Sequence, residues 1–120
     1  ASYDSLQFFY KPKDQKFKIY SISGAVFCNS KNECNKIFEE IKSDMAKSLG
    51  GKNFKKNSYR HSDDKSGKSF ATYYYLAVDG GHIKIEYMDW SEKVEFSDNV
   101  NVAINSIESI KWMQSNYGTK

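Results

Sequence analysis

Residues 69–90 read Ser69-Phe70-Ala71-Thr72-Tyr73-Tyr74-Tyr75-Leu76-Ala77-Val78-Asp79-Gly80-Gly81-His82-Ile83-Lys84-Ile85-Glu86-Tyr87-Met88-Asp89-Trp90. Both halves are rich in the β-branched and aromatic side chains that suit a pleated, half-buried surface. Between them, Asp79-Gly80-Gly81 supplies residues that tolerate positive φ, as the tight two-residue hairpin turns require. The stretch therefore predicts two antiparallel strands, Ser69 to Val78 and His82 to Trp90. Whether the loop is Asp79-Gly80 or Gly80-Gly81, even-numbered residues of the first strand oppose odd-numbered residues of the second. Phe70, Tyr74, Leu76 and Val78 then share an inward face with Ile83, Ile85 and Tyr87. Tyr73, Tyr75, Lys84 and Glu86 share the opposite face.

Upstream of this hairpin, Cys34, Ile37, Phe38, Ile41, Met45 and Leu49 recur at spacings of three and four, the signature of one apolar helical stripe. Ser30-Lys31-Asn32-Glu33 reads as a capping box that opens this helix at Lys31, and Gly50-Gly51 supplies its left-handed stop. With Ser30 as N-cap, Cys34 is the fourth helical residue and Cys28 lies two positions before the cap. A Cys28–Cys34 disulfide would pin the strand exit to the first helical turn, where a hydrophobic staple usually sits. Two free buried thiols are the alternative. A metal fits poorly, because two cysteines do not complete a tetrahedral shell.

Further upstream, Leu6 to Tyr10 is a short apolar run that ends in a turn at Lys11-Pro12-Lys13-Asp14. Lys16 to Cys28 resumes as strand and should pair with it. The alternation there changes phase, with Phe17 and Ile19 on one face and Tyr20, Ile22 and Val26 on the other, which suggests a bulge between Ser21 and Gly24. Lys52 to Lys68 is polar and basic; it reads as a long loop, part of which extends the following strand. Downstream, Val94 to Phe96 is a short apolar stretch, and Val100, Val102 and Ile104 alternate as a strand. Asn105 and Glu108 then form a second capping-box pattern before a helix through Tyr117, with Ile107, Ile110, Met113 and Tyr117 as its buried stripe.

The expected fold is α+β: a mostly antiparallel five-stranded sheet with two helices packed on one face, in the order β-β-α-β-β-β-α. Its 120 residues suffice for a single domain spanning 1–120 with one core. No apolar run approaches the roughly 20 residues that a transmembrane helix needs. The net charge is +3 and Arg60 is the only arginine, whereas dedicated nucleic-acid modules concentrate charge and use arginine forks. A disulfide persists in oxidising compartments. Together with an opening at Ala1 that lacks an initiator methionine and so fits a removed export signal or an expression remnant, and with the absence of any Asn-x-Ser/Thr glycosylation site, it points to a bacterial periplasmic or secreted protein.

Catalytic signatures are absent: no nucleophile elbow, Walker loop, zinc-protease motif or Cys-His arrangement occurs. His61, in Arg60-His61-Ser62-Asp63-Asp64, reads as a surface loop histidine, and His82 as one flanking a turn. Asp63-Asp64 reads as solvated loop, without the ligand spacing that a hard cation needs. Neither a metal nor a cofactor is expected. The expected function is non-enzymatic binding of another protein or a glycan, of the inhibitor, immunity or accessory-subunit kind. Its surface would be Tyr73, Tyr75, Lys84 and Glu86, extended by Trp90 and Trp112, because exposed tyrosine gives large contact area at low entropic cost. Two other readings stay open. One is a single-strand nucleic-acid binder stacking bases on Tyr73 and Tyr75, with Lys52, Lys55, Lys56, Arg60, Lys65 and Lys68 on phosphates. The other is a small metal-independent ribonuclease using His61 or His82 with Arg60, a lysine and a tyrosine.

Overall fold

The computed structural model describes residues 3–10 and 21–117. Its elements are β1 (Ser5–Phe9), β2 (Ser21–Phe27), α1 (Lys31–Ser48), β3 (Lys55–Arg60), β4 (Phe70–Val78), β5 (Gly81–Asp89), β6 (Asn99–Ser106) and α2 (Ile107–Tyr117). The six strands form one sheet in the order β1-β2-β6-β5-β4-β3, and every neighbouring pair is antiparallel. The class is the expected α+β with two helices, and the strand count rises from five to six. The additional strand is β3, which arises within the basic stretch 52–68. No helix among the described residues is long and apolar enough to cross a membrane.

The central hairpin forms because Val78 pairs with Gly81, leaving Asp79-Gly80 as the loop, with Gly80 at φ 83°. That value lies in the left-handed region open to glycine at little cost. Gly81 is needed for a different reason: a Cβ there would lie 1.9 Å from the Asn105 carbonyl oxygen. The register sets Tyr74 opposite Ile85 and Ile85 opposite Val102, with Tyr87 opposite Val100 and Val100 opposite Val26. Those side chains line the face onto which α1 lays Cys34, Phe38 and Ile41, and together they form the buried core. Phe38 stacks on Tyr74 with ring centroids 4.9 Å apart, and burying a side chain of its size stabilises the fold by about 2–3 kcal/mol.

α1 begins as the sequence requires. Ser30 is extended, and its hydroxyl accepts from the Glu33 amide at 3.1 Å, satisfying one donor that the first helical turn leaves unpaired. The Glu33 carboxylate reaches past the cap to the Asn29 amide, 3.5 Å away. Gly50 and Gly51 both take positive φ just beyond the helix end. Cys28 and Cys34 are joined by a disulfide with Cα atoms 5.3 Å apart, which ties the residue after β2 to the first turn of α1. Cys34 is fully buried in the core.

Three expectations are corrected. Strand β2 pairs with β6 one-to-one from Ser21 to Phe27, so no bulge interrupts it between Ser21 and Gly24. Gly24 instead makes room for packing: a Cβ there would lie 3.0 Å from Tyr3 Cδ1 and 3.2 Å from Leu6 Cδ2. At α2 the cap is Ser106, whose hydroxyl accepts from the Ser109 amide at 3.1 Å, rather than Asn105, which remains in β6. Ile107, expected in the buried stripe of that helix, is exposed. Phe17, Ile19 and Tyr20, and the side chains of Trp112, Met113 and Tyr117, lie outside the described residues.

Candidate binding surface

Because strand neighbours alternate faces, the residues opposite the α1-covered side can be read from the register. Tyr73 pairs with Glu86 and Tyr75 with Lys84, so these four share one face. Strand β3 adds Tyr59, which pairs with Ala71, and β6 adds Asn101, which pairs with Glu86. Tyr59 was not foreseen, because its strand was not. A lone tyrosine in a polar, basic segment carries no periodic signal that would place it on a sheet.

The face is organised by Glu86. Its carboxylate accepts a hydrogen bond from the Tyr59 hydroxyl at 3.0 Å and pairs with the Lys84 ammonium at 3.1 Å. Lys84 Nζ lies 4.8 Å from the centroid of the Tyr73 ring and 5.9 Å from that of Tyr59, within range of a cation–π attraction. Although the residue is exposed overall, partial burial of its phenol, and after it the charge of Glu86, pushes the Tyr59 pKa up to about 12. The ring stays neutral and fixed through the physiological range.

From Tyr73 a row of rings runs on through neighbours: Tyr59 at 6.1 Å, His61 at 6.3 Å from Tyr59, Trp90 at 4.5 Å from His61, and Phe96 at 4.7 Å from Trp90. His61 is therefore a link in the row rather than an isolated loop residue. Its Nδ1 accepts from the Asp63 amide at 3.2 Å. Of the expected surface, Tyr73, Tyr75, Lys84 and Glu86 come together directly, and Trp90 joins through His61. Trp112 cannot be placed, its side chain being outside the described residues.

Asp64 holds this end of the row. It is buried, contrary to the expectation of a solvated loop. Its carboxylate accepts from the Ser69 hydroxyl at 2.6 Å, the Ser91 hydroxyl at 2.7 Å and the Ser66 amide at 2.9 Å, while the Ser91 amide donates to Ser69 Oγ at 2.8 Å. Hydrogen bonds from Ser69, Ser66 and Ser91 hold the carboxyl well below the usual carboxylate range, since each favours the charged form. The cluster ties the loop carrying His61 to Ser91, the neighbour of Trp90. No sequence signal joins Asp64 to Ser91.

A second polar chain lies toward the β2 side. Ser21 donates to Asn105 Oδ1, Asn105 Nδ2 faces His82 Nε2 at 3.0 Å, and the His82 ring meets the Tyr75 ring at 5.1 Å. An amide donor on Nε2 requires the neutral imidazole. Burial, then the charge of Lys84, lowers the His82 pKa in the same sense. The two histidines thus contact different neighbours. Among the described residues no group of three or more His, Cys, Asp or Glu side chains could hold a metal ion.

Comparison with known proteins finds no matching family model, no matching curated protein and no matching solved structure.

Proposed function

We propose that this chain is a small exported, non-enzymatic binding protein of the inhibitor, immunity or accessory-subunit kind, which presents the Tyr59–Tyr73–Trp90 surface to a protein partner. The observation that carries the reading is the continuous row of rings that starts from Tyr73 and Tyr59 on the face opposite α1 and runs on to Trp90 and Phe96, held in place before any partner arrives. Tyr59 is fixed by Glu86 and Tyr73 by Lys84, so less side-chain entropy remains to be lost on binding. Tyrosine and tryptophan are the residue types that dominate interface energetics. Lys84 and Glu86 neutralise one another, which suits a patch that must be desolvated. The same pairing weighs against nucleic acid, which needs unpaired cations along a phosphate track. The disulfide fits an oxidising compartment, hence the periplasm or the exterior.

The test is affinity capture from an extract of the native compartment, run in parallel with the native chain and the Tyr59→Ala/Tyr73→Ala variant. A protein retained by the native chain and lost with the variant supports the reading. Equal retention by both, or none by either, refutes it. Salt-sensitive capture of single-stranded oligonucleotide instead would move the chain to the nucleic-acid class.

A further inference from the structure

The two margins of the sheet differ in kind. β3, at one margin, reads Lys55-Lys56-Asn57-Ser58-Tyr59-Arg60 and is exposed throughout. Three cations on so short an edge discourage another chain from pairing with it. β1, at the other margin, reads Ser5-Leu6-Gln7-Phe8-Phe9. It has no charge, no proline and no glycine. Its register puts Phe8 opposite Ile22 and Leu6 opposite Gly24, on the face that α1 covers elsewhere. Here, among the described residues, much of that face is open to solvent, with Tyr3 beside Gly24: Leu6 is 61%, Phe8 50%, Ile22 36% and Ile104 43% exposed. Ile22 and Ile104 are directly paired across β2 and β6, so the apolar surface runs without a break from the edge strand into the sheet.

We infer that β1 pairs antiparallel with β1 of a second copy of this chain, joining two sheets into one. The strand sequence fits its own reverse. With Gln7 on the two-fold axis, Leu6 of each copy faces Phe8 of the other, and both pairs fall on the solvent-open apolar face because pairing partners share a face. The contact is isologous and closes at two copies, and the guarded β3 margins, now at the two outer ends, stop it from growing further. A two-fold axis perpendicular to the sheet also leaves both Tyr59–Tyr73 surfaces on the same side. Five-residue strands bury little area, so the dimer sits at the small, reversible end of interface sizes, below about 1,200 Å².

Sedimentation of the native chain over a rising concentration series should show the mass climbing from 13.9 kDa toward twice that value, and Leu6→Lys/Phe8→Lys should hold it at the monomer. A second variant does not depend on that change being tolerated. Residues directly opposite in an antiparallel pair have Cα atoms about 4.5–5.5 Å apart, inside the span of a disulfide. Gln7→Cys should therefore cross-link to a covalent dimer under mild oxidation, at least about tenfold faster than Asn57→Cys on the opposite margin, as expected of a preformed contact rather than chance collision. A mass that stays at 13.9 kDa at every concentration, with Gln7→Cys cross-linking no faster than Asn57→Cys, overturns the inference.

Discussion

Refolding the protein with its two sulfurs reduced removes a single constraint and leaves the side-chain volumes of the core almost unchanged. The bond closes a loop from Cys28 to Cys34, a sequence separation of six. For a closed loop of about seven residues, chain-entropy arithmetic gives roughly 2.4 kcal/mol of stabilisation at 25 °C. Unfolding entropies near 2.1 cal/mol/K per residue give about 250 cal/mol/K for a chain of this length, so that loss should lower Tm by about 10 °C. The constraint acts where it matters most, because Cys34 lies in the core beside Phe38 and the cross-link fixes the angle at which α1 leaves β2. The assay is a thermal melt followed by far-ultraviolet circular dichroism. The protein is reduced in denaturant and refolded with reductant present, and intact mass verifies a gain of about two daltons as the S–S bond is replaced by two thiols. A Tm within about 2 °C of the oxidised protein would refute the reasoning, since a short-loop cross-link should be worth several times that shift.

Gly81→Ala should destabilise by at least about 3 kcal/mol, seen as a lower urea midpoint, because the new methyl would sit 1.9 Å from the Asn105 oxygen unless β5 and β6 separate. Asp64 has a folded-state pKa below its unfolded one. Its contribution is therefore complete above the unfolded value of about 3.9 and is lost as pH falls further, toward the folded value. The stability gap between native protein and Asp64→Asn should thus be widest near neutrality and close progressively below about pH 4 in urea titrations. Tyr59 and Tyr87 have phenols raised to about 12, in both cases first by burial and then by neighbouring carboxylates, Glu86 for the former and Asp89 and Asp98 for the latter. Their contribution holds below about pH 10 and is lost as pH rises through the folded value. Tyrosinate absorbance at pH 11 should therefore fall short of that expected for all nine tyrosines, and Tyr59→Phe should leave this early absorbance nearly unchanged while reducing the late step near 12.

How much of this was legible in the sequence follows from how each element is buried. α1 was readable because it turns one stripe to the core and the other faces to water, so Cys34, Phe38 and Ile41 recur at helical spacing. The β4–β5 hairpin was readable from Asp79-Gly80 and from alternation, which fixed the shared face of Tyr73, Tyr75, Lys84 and Glu86. β3 was not readable, because an edge strand exposed on both faces has no apolar side to alternate with a polar one. Losing β3 also lost Tyr59, and with it the link from Tyr73 to His61 and Trp90. Asp64 was misread for a related reason. Its partners Ser69 and Ser91 are brought to it by tertiary structure, and a carboxylate that will be satisfied by hydroxyls looks in sequence like one satisfied by water. The cap of α2 slipped by one residue because β6 continues through Asn105, whose side chain is already engaged with Ser21 and His82.

The central claim is that the ring-lined face opposite α1 meets another protein. A photoreactive phenylalanine placed at position 73, with the same group at Lys36 on an exposed turn of α1 as control, tests it directly in cells that make the protein. A discrete covalent adduct to one other protein from position 73, and none from position 36, is the expected result. No adduct at position 73, or the same adducts from both positions, would contradict the account.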